Sequence, residues 1–499
     1  MNKSIFKTFV LAILVLAIYS LTAFSQEQPP APSAPHTVRV PAVIESRLPN
    51  GLKVAVISRT TTPLVTITML MDSGADSEDA SQAGIADMTA TLLTKGTKTR
   101  TATQIAEDVA FLGGSISSGA GWNSSSVSIT VTSDKVPQAM AILSDLILNP
   151  VFDQKEIDLL RSQTTDGLAY NLKQPSFLAN YVASKYIFNE HPAGGTPESI
   201  AKIDRQAILD FYQDRFLADR ATLLFAGDIT SASAKTLSAQ HFAKWKRSKP
   251  ITMPKLQMLG KIVIEKKSDP ILPATDILVI DLPRSGQAAV SYGNRTDAER
   301  FTYLTKRRSS SSDYYVGSVL NSILGGGYSS RLNYEIRIKR GLSYGAGSSI
   351  NWRVPKANFI TRTLTKNESA GEVAELVIAE LIKLTKESAQ QDEAVPRKSV
   401  LTGDFSRDLE TTGGLSNALA ELYSFDLSPS ELNTYINKIN AVTGDQVKMF
   451  AAKHLLGGKI VIVGDYSIFK DDLAKRFPNM PIKVIEADAL DLSRDSLQK

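Results

Sequence analysis

The 499-residue chain contains no cysteine and only four histidines, His36, His191, His241 and His454, no two of them closer than 50 positions. Absence of thiol excludes disulfide scaffolds, thiolate zinc sites, iron–sulfur clusters and cysteine nucleophiles together. Scattered histidines exclude any local imidazole metal motif. Charge of one sign is missing too, since 56 Lys+Arg face 51 Asp+Glu. With 43% apolar residues the composition is globular rather than disordered, and the length implies more than one core-forming unit.

The one prolonged apolar run lies at the start. Lys3 and Lys7 precede an apolar stretch from Thr8 to Ile18, and Ala23-Phe24-Ser25 offers small residues where signal peptidase reads them. Residues 1–25 are therefore expected to be a signal peptide cleaved before Gln26, the run being shorter than a membrane span. Its removal lowers the formal charge from +5 to +3, which leaves no polybasic case for nucleic acid. Residues 26–42 read as a Pro-rich leader, through Pro29, Pro30, Pro32 and Pro35. A mature protein exported to a bacterial periplasm follows as an expectation, with no membrane anchor after cleavage.

Beyond the leader, strand-like and helix-like segments alternate. Leu52 to Ile57, Leu64 to Met71 and Val127 to Val131 have strand character; Gly84 to Leu93, Pro137 to Leu148, Gln154 to Leu172 and Asp204 to Phe216 have helical character. Ala221 to Phe225 is an apolar strand running into Ala226-Gly227-Asp228. The same ending returns 237 residues later as Ile460-Val461-Ile462-Val463-Gly464-Asp465. The second copy opens on strands Asp276 to Leu282 and Ala288 to Tyr292, with helices at Tyr315 to Leu324, Ala370 to Glu387 and Glu393 to Phe405. A period this long is a duplicated domain, not a solenoid. The expected fold is α+β: two homologous domains, residues 43–245 and 276–490, joined by a linker over 246–275, each a mostly antiparallel sheet with helices on one face. Lys306-Arg307-Arg308 followed by serines reads as a solvated loop.

The segment Gly84-Ile85-Ala86-Asp87-Met88-Thr89-Ala90-Thr91-Leu92-Leu93-Thr94-Lys95-Gly96-Thr97 resembles the zinc helix of the pitrilysin or insulinase metallopeptidases, the inverzincins, which include mitochondrial processing peptidase. Gly84, Leu93, Gly96 and Thr97 fit the pattern. In the family, two His at i and i+4 hold zinc and an intervening Glu polarises water; here those positions are Asp87, Ala90 and Thr91. The family's distal Glu falls near Asp166. An alanine and a neutral hydroxyl cannot replace an imidazole and a base, so no metal is expected on this chain. The resemblance continues in His191-Pro192-Ala193-Gly194-Gly195-Thr196-Pro197-Glu198-Ser199-Ile200, where His191 reads as a turn residue.

In the second half, Leu324-Gly325-Gly326-Gly327-Tyr328-Ser329-Ser330-Arg331-Leu332 is similar to the family's glycine-rich substrate-binding motif, which implies substrate roles for Gly325, Gly326, Gly327 and Arg331. Arg337 and Tyr344 match its Arg/Tyr pair, which in active relatives binds the substrate backbone and the oxyanion. Guanidinium and phenol suit that task because both aim hydrogen bonds at a carbonyl oxygen. The glycines lack the Gly-Lys-Ser/Thr ending of a nucleotide loop. Gly341-Leu342-Ser343-Tyr344-Gly345 satisfies G-x-S-x-G, but helix precedes it and strand follows, the reverse of a nucleophile elbow. The resemblance thus implies the zinc-less subunit of a heterodimeric metallopeptidase, with zinc on a homologous partner, peptide as substrate, and Arg337 and Tyr344 lent to the partner's site. The alternative is a non-catalytic structural or peptide-binding scaffold of the same fold.

Overall fold

The computed structural model describes residues 40–248, 272–304, 307–354 and 356–499. The expected signal peptide, most of the leader and most of the linker lie outside the described residues, as does Lys306. The first half runs β1 (Val43–Arg47), β2 (Lys53–Ser58), β3 (Leu64–Met71), α1 (Ile85–Leu92), α2 (Ala102–Phe111), β4 (Ser115–Ala120), β5 (Ser125–Thr132), α3 (Val136–Leu148), α4 (Gln154–Asn171), α5 (Pro175–Tyr186), α6 (Pro197–Lys202), α7 (Arg205–Arg215), β6 (Ala221–Gly227) and α8 (Ser231–Phe242). The second half runs β7 (Ala274–Asp281), β8 (Ala288–Arg295), β9 (Phe301–Leu304), β10 (Arg307–Ser310), α9 (Ser312–Leu324), α10 (Arg331–Asn333), β11 (Ser343–Asn351), β12 (Asn358–Thr365), α11 (Ala370–Lys386), α12 (Gln391–Asp408), α13 (Thr412–Ser424), α14 (Tyr435–Ala441), α15 (Gly444–His454), β13 (Gly458–Gly464), α16 (Tyr466–Arg476) and β14 (Ile482–Glu486).

Two six-stranded sheets result, ordered β1-β2-β6-β3-β5-β4 and β14-β7-β13-β8-β12-β11. Position by position they match: β2 lies parallel to β6 as β7 does to β13, and β3 and β8 are antiparallel to both neighbours. The offset of 237 residues holds at both ends of α4 and α12 and at both ends of β6 and β13. The sheets differ at one edge. β1 precedes β2 and pairs with it antiparallel, whereas β14 arrives from the C-terminal end and pairs with β7 parallel.

Alternation along the central strands feeds two cores. Ile277 and Val279 of β7 and Ile460 and Ile462 of β13 pack with the apolar faces of α9, α11 and α15. Their neighbours Leu278, Ile280, Val461 and Val463 belong to a cluster that contains Leu178, Ala179 and Val182 of α5. Period two puts successive side chains on opposite faces, so an unbroken apolar strand requires cover on both. The expectation of helices on one face is corrected accordingly. Helix α5 of the first half lies on β8, β12 and β13, and α13 of the second half lies on β3 and β6. Each half sends one helix across to seal the back of the other's sheet, and both sheets belong to one compact unit, Arg39–Lys499. The expected loop at 307–310 is also corrected. It is the second strand of the hairpin β9–β10, where Arg308 stacks on Phe301 at 4.3 Å and donates to the Phe425 carbonyl at 3.1 Å.

Candidate functional site

Helix α1 starts at Gly84, whose φ of +96° is one that glycine adopts without the steric cost a Cβ would bring, and where a Cβ would meet Ile200 Cδ1 at 2.7 Å. Its exposed N–H groups are capped from a distance. The fully buried Glu78 carboxylate accepts from Gly84 N at 2.9 Å and from Ala86 N at 2.7 Å, placing negative charge at the positive end of the helix. His191 Nε2 donates to the same carboxylate at 3.0 Å. His191 therefore supports the cap. Its ring lies 5.3 Å from Trp122, over which the guanidinium of Arg353 from the second half sits at 4.0 Å. Sequence reasoning missed Glu78; an acidic residue six positions before the helix start was the available signal.

Along α1 the three positions of interest face different surroundings. Asp87 is exposed and its Oδ1 accepts from Ala120 N of the neighbouring strand at 3.1 Å. Ala90 is fully buried, and its carbonyl accepts from the Ser118 hydroxyl. Thr91 is half-buried, and Asp166 lies exposed on α4 with Ser162 Oγ at 3.4 Å.

In the second half, helix α9 ends in a glycine turn pressed so closely against β11 and against its own last turn that side chains do not fit. A Cβ on Gly325 would lie 2.2 Å from Ser348 N, and one on Gly326 would lie 2.6 Å from Ser322 Cα. Ser348 N donates back to the Gly325 carbonyl at 3.2 Å. Arg331 is clamped by Glu393 through two parallel bonds of 2.7 and 2.6 Å. α10 then continues into one π-helical turn, Tyr334–Ile338, in which Lys339 N reaches the Tyr334 carbonyl at 2.9 Å. Such turns recur at functional positions, and Arg337 lies in this one. The adjacent carboxylate, Glu335, is taken by Lys339 and Arg340. Among the described residues Arg337 has no acidic partner; its guanidinium sits 5.0 Å from the Tyr328 ring.

Tyr344 stands on a register irregularity of the edge strand β11, between Ser343 and Ala346, and is 90% exposed. Bulges re-aim side chains, and Ser343 Oγ fixes this one by donating to the Leu364 carbonyl at 2.7 Å and accepting from Gly345 N at 3.0 Å. Buried Asn333 ties the parts together, donating to the Tyr328 carbonyl at 2.5 Å and accepting from Ala346 N at 3.3 Å. Sequence reasoning stopped the motif at Leu332 and missed it.

Two family models match the chain: one described as Insulinase (Peptidase family M16) over residues 53–192, the other as Peptidase M16 inactive domain over residues 202–395, together more than half its length. The chain belongs to peptidase family M16. An uncharacterized zinc protease of Rickettsia bellii is 25% identical over 406 residues, 79% of this chain and 92% of that one. One from Mycobacterium leprae is 26% identical over 320 residues, 63% of this chain and 67% of that one. A peptidase M16 inactive domain from Pseudomonas fluorescens superimposes with a TM-score of 0.73 at 23% identity, covering 85% of this chain and 98% of that one. A protease from Helicobacter pylori gives 0.75 at 18%, covering 85% and 100%. At these identities the solved structures establish the fold.

The donor set on this M16 chain does not fit a zinc ion. Asp87 offers one carboxylate already engaged by a backbone N–H, Ala90 offers a buried methyl group, and Thr91 offers a neutral hydroxyl. Among the described residues no group of three His, Asp or Glu is placed to hold a metal, and no helix is long and apolar enough to cross a membrane.

Proposed function

We propose that this M16 chain is the zinc-less subunit of a two-subunit peptidase, binding peptides and lending Arg337 and Tyr344 to a site on a homologous, zinc-bearing partner. The observation that carries the reading is the contrast on one chain: on the second half, Arg337 and Tyr344, donors without a protein acceptor among the described residues, and on the first a helix whose reactive positions hold Asp87, Ala90 and Thr91. An arginine with no carboxylate partner among the described residues and a tyrosine on an exposed bulge are suited to a carbonyl oxygen brought by another molecule. Proximity rather than covalent connection sets such catalysis, so donors can come from a second chain. The expected export to the periplasm places both subunits in that compartment.

Co-expression with a homologue carrying an intact H-x-x-E-H helix tests the reading. A stable complex is expected, with peptidase activity reduced about tenfold or more by Arg337→Ala and by Tyr344→Phe in complexes that still form. Absence of a complex, or undiminished activity in both variants, overturns it and leaves a peptide-binding scaffold.

A further inference from the structure

A cavity of about 300 Å³ lies between the two halves, a size at the small end of ligand sites. From the first half, α5 contributes Phe177, Tyr181 and Asn180; from the second, β12 contributes Ile360 and Arg362. Its walls are mainly apolar, with Leu168 and Phe188 completing them, and the Phe177 and Tyr181 rings stack at 5.9 Å. Two guanidinium groups, Arg353 and Arg362, reach it, and no Asp or Glu lines it.

The two arginines differ. Arg353 is paired outside the cavity with Glu190, which Asn358 also engages at 2.8 Å. Arg362 has no acidic partner among the described residues. Its Nε donates to Asn180 Oδ1 at 2.6 Å and its Nη1 to Ser349 Oγ at 2.8 Å, which orients the fork and leaves Nη2 without a protein acceptor. Arg362 is exposed at the rim of the cavity, and a cation held in place there with no carboxylate partner among the described residues, beside an aromatic wall, is the complement of an apolar group that carries an anion.

We propose that this cavity binds a carboxylate attached to an apolar side chain, as found at the C-terminal residue of a peptide, with Arg362 holding the carboxylate and Phe177, Tyr181 and Ile360 holding the side chain. A charge-assisted hydrogen bond from the open Nη2 favours an anionic acceptor over a neutral amide. The occupant touches α5 and β12 together, so it bridges the halves. The assignment to peptides rests on the reading above; the binding itself is measured on the isolated chain, so failure of the partner complex and failure of this site are separate results.

Isothermal titration of the full chain with the tripeptide alanyl-alanyl-phenylalanine, its C-terminal amide and 3-phenylpropanoate provides the test. The free acid is expected to bind about tenfold or more tightly than the amide, and Arg362→Leu is expected to abolish that difference while Arg362→Lys keeps part of it. Comparison of acid with amide on the unaltered chain needs no variant to fold. Equal affinity of acid and amide, no binding of either at millimolar concentration, or full affinity in a folded Arg362→Leu chain overturns the site. 3-Phenylpropanoate binding as tightly as the peptide keeps the carboxylate site and overturns its assignment to peptide ends.

Discussion

Helices α5 and α13 begin 237 residues apart and do the same job in opposite directions, yet the seal under α13 also includes hydroxyl pairs. Under α5 the contact is apolar: Leu178 and Val182 join Leu278, Ile280, Val461 and Val463 in one cluster. Under α13, beside the buried Leu415, Leu419 and Leu422, hydroxyls also meet, Thr66 with Thr412 and Thr68 with Ser416, each at 2.8 Å. Burying a leucine or valine is worth roughly 1.5–3 kcal/mol, whereas a neutral hydrogen bond nets about 1. Duplication has preserved the topology of the crossing and not its composition. Both crossings draw stability from apolar burial, and the hydroxyl pairs under α13 are expected to add to its register.

The largest effect that follows is at α5. Val182→Asp places a charge in a fully buried apolar cluster with no partner, and a loss of about 4 kcal/mol or more is expected, read as loss of folded protein or a collapse of the denaturant midpoint. A variant that retains its midpoint breaks the claim that α5 seals the second sheet.

Next comes acid sensitivity in the second half. Burial, aided by Lys453 and opposed by Asp313 and Asp297, pulls His454 down to about 4. Its ordinary value is about 6.5, so between those values the unfolded chain takes up a proton that the folded chain refuses. Stability is therefore full above pH 6.5 and falls as pH drops towards 4, by roughly 3 kcal/mol for this buried ring. His241 in the first half is shifted the same way by burial and adds a smaller share. Midpoints measured across this window should decline with acid, and His454→Gln should flatten most of the slope. An unchanged slope shifts the effect to other groups.

The smallest effect is at α13. Thr412→Val strands the Thr66 hydroxyl from one of its two partners, the other being Thr130 at 2.9 Å, and should cost about 1 kcal/mol. Thr66→Val with Thr412→Val removes both groups and should lie within about 1 kcal/mol of the unaltered chain. A double-mutant cycle measures the coupling; additive losses show that the hydroxyl contact sets neither stability nor register.

The same contrast extends to the candidate site. Equivalent sheets support α1, whose end is closed by Glu78 and His191 and whose middle presents Ala90, and the α9 turn, which leads to Arg337 and Tyr344 with open donors. Strand and helix periodicity, the Gly-Asp strand endings and the glycine turn were legible because each depends on residues near in sequence. The crossing helices were not. The amphipathic stripe of α5 says that Leu178, Ala179 and Val182 are buried, but any apolar surface satisfies a stripe. Nor could the chain order show that Arg331, read as a substrate contact, spends its fork on Glu393, or that Asn333 fastens turn to strand.

By itself, the amino-acid order determined that one domain is made twice, that α1 carries Asp87, Ala90 and Thr91 where the resemblance expects zinc chemistry, and that Arg337 and Tyr344 follow the glycine turn seven residues apart. Local spacing and side-chain chemistry suffice for each. Only the tertiary structure decided that the halves exchange helices, that Glu78 and His191 close α1, and that Arg362 stands at an apolar cavity with no acidic partner among the described residues. Those outcomes depend on which distant surfaces meet, because burial rewards any complementary apolar face, while hydrogen bonds and ion pairs are settled atom by atom once the faces have joined.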